Sequence, residues 1–216
     1  MQISILDYGL GNIFSVERAI VSAGYKTPKL VNNPNEILES DFIILPGVGA
    51  FPDGIQGLQS RELLDVISEY VETGKPLLGI CLGMQMLTSR GVERSATNGL
   101  NLIPGETIKI KQSKKNGFRR LPFVGWAPIN YSKEGVAVRN HIREPEETEN
   151  ELYFVHSYHV ITEDPADTKA TYDYDGLKIA AIIEKNNVTG FQFHPEKSGP
   201  HGIKLLGNYI NSKFKE

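Results

Sequence analysis

The first half of the chain alternates short apolar runs with segments whose apolar residues recur at helical spacing. The apolar runs predict four strands, at Ile3–Leu6, Lys29–Val31, 41–45 and 76–81. The helical spacing predicts two helices, over 15–24 and 61–73, each stopped by a glycine. Residues 41–45 are apolar enough for burial on both faces, as in parallel sheets. This alternation indicates an α/β fold with a mostly parallel sheet flanked by helices.

The second half consists mainly of shorter apolar segments separated by turn residues. They predict six strands, at 107–111, Glu151–His156, 159–162, 169–172, 179–184 and 188–193. Short strands joined by tight turns indicate antiparallel additions to the sheet, and a final helix is expected over about 201–214. The acidic stretch 144–151 is expected to form an exposed loop. Since no repeat or linker interrupts the pattern, residues 1–216 are interpreted as one domain.

Composition and charge narrow the class of protein and of partner. A length of 216 residues with 40% hydrophobic content suits a globular chain with its own core. No apolar stretch approaches the ~20 residues of a membrane-spanning helix, and the N-terminus lacks the pattern of a signal peptide. The formal net charge of -3 argues against nucleic acid as the main partner. One basic cluster is interpreted as a solvated loop or, alternatively, a phosphate-facing surface: Lys109, Lys111, Lys114, Lys115, Arg119 and Arg120.

The only cysteine of the chain lies between a predicted strand and a helical pattern, in Gly79-Ile80-Cys81-Leu82-Gly83. A strand that ends in Gly-x-Cys-x-Gly and leads into a helix is typical of a nucleophile elbow, which exposes one side chain above a sheet. Glycines are expected there because a side chain at either position would crowd the turn. The alternative is a buried structural cysteine. A lone cysteine cannot form an internal disulfide, and a free thiol suits a reducing cytoplasm.

A candidate base for this thiol lies near the other end of the chain. His194 ends the predicted strand 188–193 and is followed by Pro195 and Glu196. Residues two apart in extended chain project to the same side, so the Glu196 carboxylate is placed to orient the His194 imidazole. A structural His-Pro turn is the alternative interpretation. The elbow and this pair together favour nucleophilic catalysis.

The glycine-rich turn Pro46-Gly47-Val48-Gly49 follows the buried strand 41–45 and is expected at the same sheet edge as Cys81. Backbone N–H groups of this turn, together with that of Leu82, are candidates for an oxyanion hole. As structure alone, the segment is an ordinary glycine-rich turn. A second Gly-x-Gly segment, at 9–11, lacks the third glycine of a dinucleotide-binding loop. The histidines and the one cysteine show no metal-ligand spacing, so neither a metal nor a cofactor is expected.

These motifs resemble a known enzyme family. Gly-Ile-Cys-Leu-Gly-Met-Gln at 79–85, with His-Pro-Glu at 194–196, is similar to the class I glutamine amidotransferases, whose sheet is flavodoxin-like. Three further motifs resemble those of the glutaminase subunits of imidazole glycerol phosphate synthase. They are Asp-Tyr-Gly-Leu-Gly-Asn at 7–12, Pro-Gly-Val-Gly-Ala-Phe at 46–51 and Tyr-Phe-Val-His-Ser-Tyr at 153–158. The resemblance covers essentially the whole chain.

The resemblance implies a glutaminase with a Cys-His-Glu triad. Cys81 would attack the side-chain amide of glutamine, and His194, oriented by Glu196, would protonate the departing ammonia and then activate water. The oxyanion donors would lie at Gly49 and Leu82, beside a peptide at Val48 that reorients. Further positions match the glutamine pocket, namely Gly47, Gln85, Ser157 and Tyr158.

The resemblance also implies a partner. Ammonia would pass to a cyclase subunit, a (β/α)₈ barrel, in a heterodimer of histidine biosynthesis, and Asn12 and Tyr153 match positions that face it. Because free ammonia is largely protonated at neutral pH, a dry route between the two sites protects its reactivity. The lone chain is therefore expected to be nearly inactive until the partner binds its own ligand. Whether it self-associates without that partner is left open.

One segment departs from the family's usual Pro-His-Met-Gly-Trp-Asn, since this chain reads Pro-Phe-Val-Gly-Trp-Ala at 122–127. The departure leaves the triad intact but opens an alternative pathway, in which a paralogous glutaminase supplies ammonia for amidination of a surface sugar. Two other classes also stay open. One is a stand-alone thiol hydrolase, and the other is a non-catalytic subunit that has kept only the fold.

Overall fold

The computed structural model describes residues 2–112, 120–142 and 151–214. The strands in these ranges are β1 (Ile3–Leu6), β2 (Lys29–Val31), β3 (Phe42–Leu45), β4 (Leu77–Ile80), β5 (Arg90–Gly91), β6 (Thr97–Asn98), β7 (Gly105–Lys109), β8 (Phe123–Pro128), β9 (Asn130–Tyr131), β10 (Glu151–His156), β11 (Tyr158–Thr162), β12 (Thr168–Tyr174), β13 (Leu177–Lys185) and β14 (Val188–Phe191). The helices are α1 (Ile13–Ser22), α2 (Pro34–Glu39), α3 (Phe51–Gln59), α4 (Leu64–Glu72), α5 (Leu82–Met86), α6 (Val136–Ile142) and α7 (Gly199–Ser212). Short 3₁₀ helices span Pro165–Asp167 and Pro195–Lys197.

The main sheet has eight strands in the order β2-β1-β3-β4-β14-β13-β12-β9. Strands β2, β1, β3, β4 and β14 pair in parallel, whereas β13, β12 and β9 extend the sheet by antiparallel pairing. The predicted α/β fold with antiparallel additions is therefore confirmed. The carboxyl ends of β3, β4 and β14 are neighbours, which brings together the segments that follow them.

Three predicted strands do not join this sheet, which corrects the expectation for the second half. Strand β10 pairs with β8 in a two-stranded sheet, and β7 and β11 belong to a four-stranded sheet of order β11-β7-β5-β6. In β10 every second residue is buried, so only one face of this strand lies on the core. Local patterning indicated the strands but not their partners.

Several element bounds also differ from the predicted ones. The helix predicted over 61–73 begins at Leu64, and the strand predicted over 188–193 ends at Phe191. The predicted acidic loop 144–151 lies outside the described residues except for Glu151, which begins β10. Three residues of the basic cluster, Lys114, Lys115 and Arg119, also lie outside them.

The core consists of two layers, one on each face of the main sheet. Alternate residues of β3 point to opposite layers, Phe42 and Ile44 to one and Ile43 and Leu45 to the other, and all four are fully buried. Helices α1 and α7 cover the first layer and α3, α4 and α5 the second. This explains the continuous apolar run of β3, as expected for a parallel strand. No described helix is long and apolar enough to cross a membrane.

Candidate active site

Cys81 occupies the predicted elbow between β4 and α5. Its backbone has φ 55° and ψ −107°, a conformation that L residues rarely adopt, and its N–H donates to the Phe191 carbonyl at 2.7 Å. A Cβ on Gly79 would lie 2.7 Å from the Gly83 carbonyl carbon, and one on Gly83 would overlap the Leu45 carbonyl oxygen. The two glycines are needed because the turn packs directly against the ends of β3 and β4.

His194 and Glu196 form the predicted pair beside this elbow. His194 Nδ1 lies 2.7 Å from Glu196 Oε1, and both side chains are almost fully buried. Backbone contacts fix the segment, since the His194 N–H donates to the Tyr153 carbonyl and the Ser198 hydroxyl donates to the His194 carbonyl. With Nδ1 bonded to Glu196, Nε2 is the nitrogen left for proton transfer, and it has no hydrogen-bond partner among the described residues.

The charge state of His194 follows from its neighbours. Burial alone lowers the pKa of His194, but the nearby Cys81 sulfur and the Glu196 carboxylate outweigh burial and raise it to about 10. The Cys81 sulfur raises the pKa of His194 because it lies close to Nε2, although the two atoms form no hydrogen bond of normal geometry. The site therefore favours an imidazolium between two groups that carry or accept negative charge.

A cavity of about 380 Å³ opens beside the Cys81 sulfur. Most predicted site residues line it, namely Val48, Gly49, Cys81, Leu82, Gln85, Ser157, Tyr158 and His194. Glu196 lies behind His194, away from the lining. Gly47 lies beneath the wall, where a Cβ would come within 2.7 Å of the Tyr8 hydroxyl and 2.8 Å of Leu82 Cβ.

Gly49 has φ +109°, and a Cβ there would meet nothing within 4 Å. Glycine is thus needed at this position for its backbone conformation rather than for space. Val48 beside it is exposed at the cavity wall. The structure places the predicted oxyanion segment next to Leu82, as expected from the shared sheet edge.

Several lining residues were not predicted from the sequence. They include Glu93, Pro122, Val155, His156 and Lys197. Glu93 is held in place because its Oε2 accepts the backbone N–H of Phe51 at 2.8 Å. No local pattern marked it, since it lies in a bend between β5 and β6 that belongs to none of the motifs.

His156 has a structural role at the cavity wall. Its Nδ1 lies 2.7 Å from the Tyr158 carbonyl oxygen and must donate to it, so Nε2 accepts from the Tyr172 hydroxyl at 2.8 Å. Burial lowers the pKa of His156 to about 4, which keeps the ring neutral at neutral pH. This neutral ring fixes the carbonyl of a pocket residue.

Asn12 and Tyr153, the predicted partner-facing residues, do not line the cavity. Asn12 precedes α1, where Phe14 is 78% exposed. Tyr153 packs edge-on against Trp126, and Lys197 Nζ lies 6.0 Å from the centroid of its ring. Because Lys197 also lines the cavity, the Tyr153–Trp126 surface adjoins the cavity mouth.

The segment that departs from the family pattern is accommodated by aromatic packing. Phe123 stacks on Tyr172 at 5.3 Å between ring centroids and contacts Tyr174 at 4.6 Å. Ala127 is buried in the core. The chain thus has an apolar cluster where the family's usual motif has a histidine and an asparagine.

A larger cavity, about 570 Å³, borders β9, β11, β12 and β13. None of the predicted site residues lines it, and its lining includes neither a cysteine nor a carboxylate among the described residues. Among the residues that the structure describes, no group of three or more His, Cys, Asp or Glu could hold a metal ion. The predicted site residues are therefore gathered at the smaller cavity.

Comparison with known proteins identifies the same family that the sequence motifs resemble. Residues 4–212 match the family model of glutamine amidotransferase class-I. The chain is 39% identical to the imidazole glycerol phosphate synthase subunit HisH 1 of Legionella pneumophila (strain Paris), covering 96% of this chain and 98% of that protein. It is 40% identical to subunit HisH of Bacillus cytotoxicus, with 96% and 93% covered, and 38% identical to that of Aquifex aeolicus, with 97% and 96% covered.

Solved structures show the same fold at low sequence identity. A crystal structure of a glutamine amidotransferase superposes with a TM-score of 0.70 at 15% identity, covering 99% of each chain. The structure of PurLQS from Thermotoga maritima gives a TM-score of 0.70 at 21% identity, covering 98% of each chain. These likenesses establish the architecture.

Proposed function

The chain belongs to the class I glutamine amidotransferases, in the family of imidazole glycerol phosphate synthase subunit HisH, and we propose that it hydrolyses L-glutamine for that synthase. The products are glutamate and ammonia, and the ammonia serves the cyclase reaction of histidine biosynthesis. The observation that carries the proposal is the meeting of Cys81 with the buried His194–Glu196 pair at one cavity. The match to HisH relatives over nearly the full chain supports the pathway.

The reaction proceeds in two halves. The Cys81 sulfur attacks the side-chain carbonyl carbon of glutamine, and backbone N–H groups at Gly49 and Leu82 stabilise the oxyanion. As the C–N bond breaks, His194 Nε2 gives its proton to the departing ammonia, which leaves a glutamyl thioester. His194 then takes a proton from water, the resulting hydroxide attacks the thioester, and glutamate leaves as the sulfur regains its electron pair.

The cavity suits glutamine in size and charge. A volume of about 380 Å³ is ample for one amino acid, and the wall carries the Glu93 carboxylate, which complements an α-ammonium group. Gln85, Ser157 and Tyr158 supply hydrogen-bonding groups around the same space. Gly47 contributes by letting the wall approach Leu82 closely.

The partner is proposed to be a (β/α)₈ cyclase that docks over the cavity mouth to form a heterodimer. Phe14 and Trp126 are large apolar side chains, 78% and 51% exposed, and Tyr153 lies against Trp126. Such exposed aromatic side chains are typical anchors of protein interfaces. Docking there would pass ammonia directly between the sites, in the cytoplasm, where Cys81 stays reduced.

The test is glutamate release from glutamine by the purified chain, alone and with the histidine-pathway cyclase from the same source plus its nucleotide ligand. We expect little activity alone and strong activation in the complex, with loss of activity in Cys81→Ala. If the cyclase does not activate the chain but a glutamine-mimicking electrophile still labels Cys81, the glutaminase mechanism would stand and the proposed partner would be wrong. Rapid glutamine hydrolysis by the lone chain would contradict the proposal that the partner switches on ammonia release.

A further inference from the structure

Gln192 is a fully buried amide that contacts the candidate nucleophile, and it was not among the predicted site residues. It directly follows β14, where its backbone N–H donates to the Ala181 carbonyl at 2.9 Å. Its side-chain Nε2 lies 3.7 Å from the Cys81 sulfur and donates to it. A buried primary amide aimed at a sulfur is a costly arrangement unless all its groups are bonded.

The other end of the Gln192 amide connects to the cavity wall. Gln192 Oε1 accepts from Gln85 Nε2 at 3.0 Å, and Gln85 Nε2 also donates to the Tyr158 carbonyl oxygen at 3.1 Å. Gln85 and Tyr158 both line the cavity. The two glutamine side chains, Gln85 and Gln192, therefore form an amide relay from the cavity wall to the sulfur.

The direction of this relay is fixed by its first member. A backbone carbonyl only accepts hydrogen bonds, so the group of Gln85 that faces Tyr158 must be the NH₂. The same NH₂ faces Gln192, which must present its oxygen in return. Its NH₂ group is then the end left for Cys81, and the amide cannot be flipped without breaking the relay.

A second contact of the sulfur serves the opposite protonation state. The Val155 carbonyl oxygen lies 3.9 Å from the Cys81 sulfur and can only accept from an S–H group. The Gln192 N–H, in contrast, donates to the sulfur and is strongest when the sulfur is negatively charged. The two contacts thus compete, one holding the thiol and the other the thiolate.

We propose that Gln192 is a positioning residue that stabilises the thiolate form of Cys81 and aims its lone pair at the substrate. Resting on the proposed glutaminase function, the same N–H acts again when the thioester is hydrolysed. The carbon–sulfur bond then breaks, its electron pair returns to the sulfur, and the donor stabilises the departing thiolate. Gln85 also belongs to the cavity wall. A bound ligand that displaces Gln85 would therefore shift Gln192 and alter its hydrogen bond to the Cys81 sulfur.

The test measures the pH dependence of Cys81 alkylation by iodoacetamide in the full chain. The Gln192→Met variant removes the donor, and Gln192→Glu keeps an acceptor for Gln85 but replaces the donor by a negative charge. We expect the alkylation midpoint to rise by about one pH unit in Gln192→Met, and by more in Gln192→Glu. At pH values below the midpoint of the parent chain, the initial alkylation rate should fall about tenfold.

Thr189→Val is the matched control, since Thr189 is also fully buried on β14 and donates to Glu184 Oε2 at 2.7 Å, away from the sulfur. It should lower stability without moving the alkylation midpoint. An unchanged midpoint in both Gln192 variants would overturn the proposal, as would an equal shift in Thr189→Val. Alkylation needs no glutaminase activity. A shifted midpoint in a chain that releases no glutamate even with the cyclase and its ligand, and that no glutamine-mimicking electrophile labels, would refute the function and keep the role of Gln192.

Discussion

At the scale of single residues, burial and charge are balanced around one imidazole, that of His194. His194 and Glu196 are both almost fully withdrawn from solvent, so their interaction is little screened. Glu196 Oε2 has no hydrogen-bond partner among the described residues, which leaves His194 as the group that offsets its buried charge. The pair therefore stabilises the imidazolium that the proposed mechanism needs.

Replacing Glu196 by glutamine tests this balance. The Glu196→Gln change keeps an acceptor for His194 Nδ1 but removes the negative charge, so the raised pKa of His194, about 10, should fall. Proton donation to ammonia then fails at a lower pH. In the activated complex we expect the alkaline limb of the kcat/KM profile to move down by about one to two pH units.

Glu184→Gln provides the control for that change. Glu184 is a largely buried carboxylate that accepts from Thr189 and pairs with Lys213 at 3.0 Å, and it does not line the cavity. Its loss should leave the pH profile in place. An alkaline limb that stays fixed in Glu196→Gln would show that Cys81, rather than Glu196, sets the protonation of His194.

At the scale of elements, the elbow depends on how closely α5 approaches β3. The Gly83→Ala change places a Cβ against the Leu45 carbonyl oxygen, and backbone on both sides leaves no room for relief. We expect a loss of about 2–4 kcal/mol in the free energy of unfolding, measured by urea denaturation. The glutamine-mimicking electrophile should also no longer label Cys81.

Gly74→Ala is the matched glycine variant. Gly74 follows α4 with φ +82°, and a Cβ there would meet nothing within 4 Å, so only backbone strain acts at this position. We expect a cost of about 1 kcal/mol and normal labelling of Cys81. Equal costs at the two positions would contradict the close-approach explanation of the elbow.

Elements whose pattern is local were predictable, and those that depend on distant partners were not. The apolar run of β3 and the Gly-x-Cys-x-Gly turn carry their own signal, so their positions agree with the structure. The assignment of β10 and β11 to smaller sheets depends on pairing with β8 and β7, which no local pattern contains. Glu93 and Gln192 were missed for the same reason, because folding alone brings them to Cys81. The triad roles themselves stay predictions.

At the scale of the whole molecule, His156 joins the three sheets. The residue ends β10 of the two-stranded sheet, its Nε2 accepts from Tyr172 on β12 of the main sheet, and its Nδ1 donates to Tyr158 on β11 of the four-stranded sheet. The bond to Tyr172 needs the neutral ring, since a protonated Nε2 cannot accept from the hydroxyl, whereas Nδ1 donates to Tyr158 in either state. The junction of the sheets is therefore sensitive to acid.

The pH dependence of stability tests this junction. Burial holds the pKa of His156 at about 4, below the ordinary 6.5, so the unfolded chain binds more protons between these values. The stabilisation is complete above pH 6.5 and is lost as the pH falls towards 4. Between neutral pH and about pH 4.5, the free energy of unfolding should fall by about 2 kcal/mol more in the wild type than in His156→Asn. His159, whose pKa burial also lowers to about 4, is present in both proteins, so its own titration contributes to both losses. Urea denaturation at the two pH values measures the difference, and equal losses would mean that other groups carry the acid sensitivity.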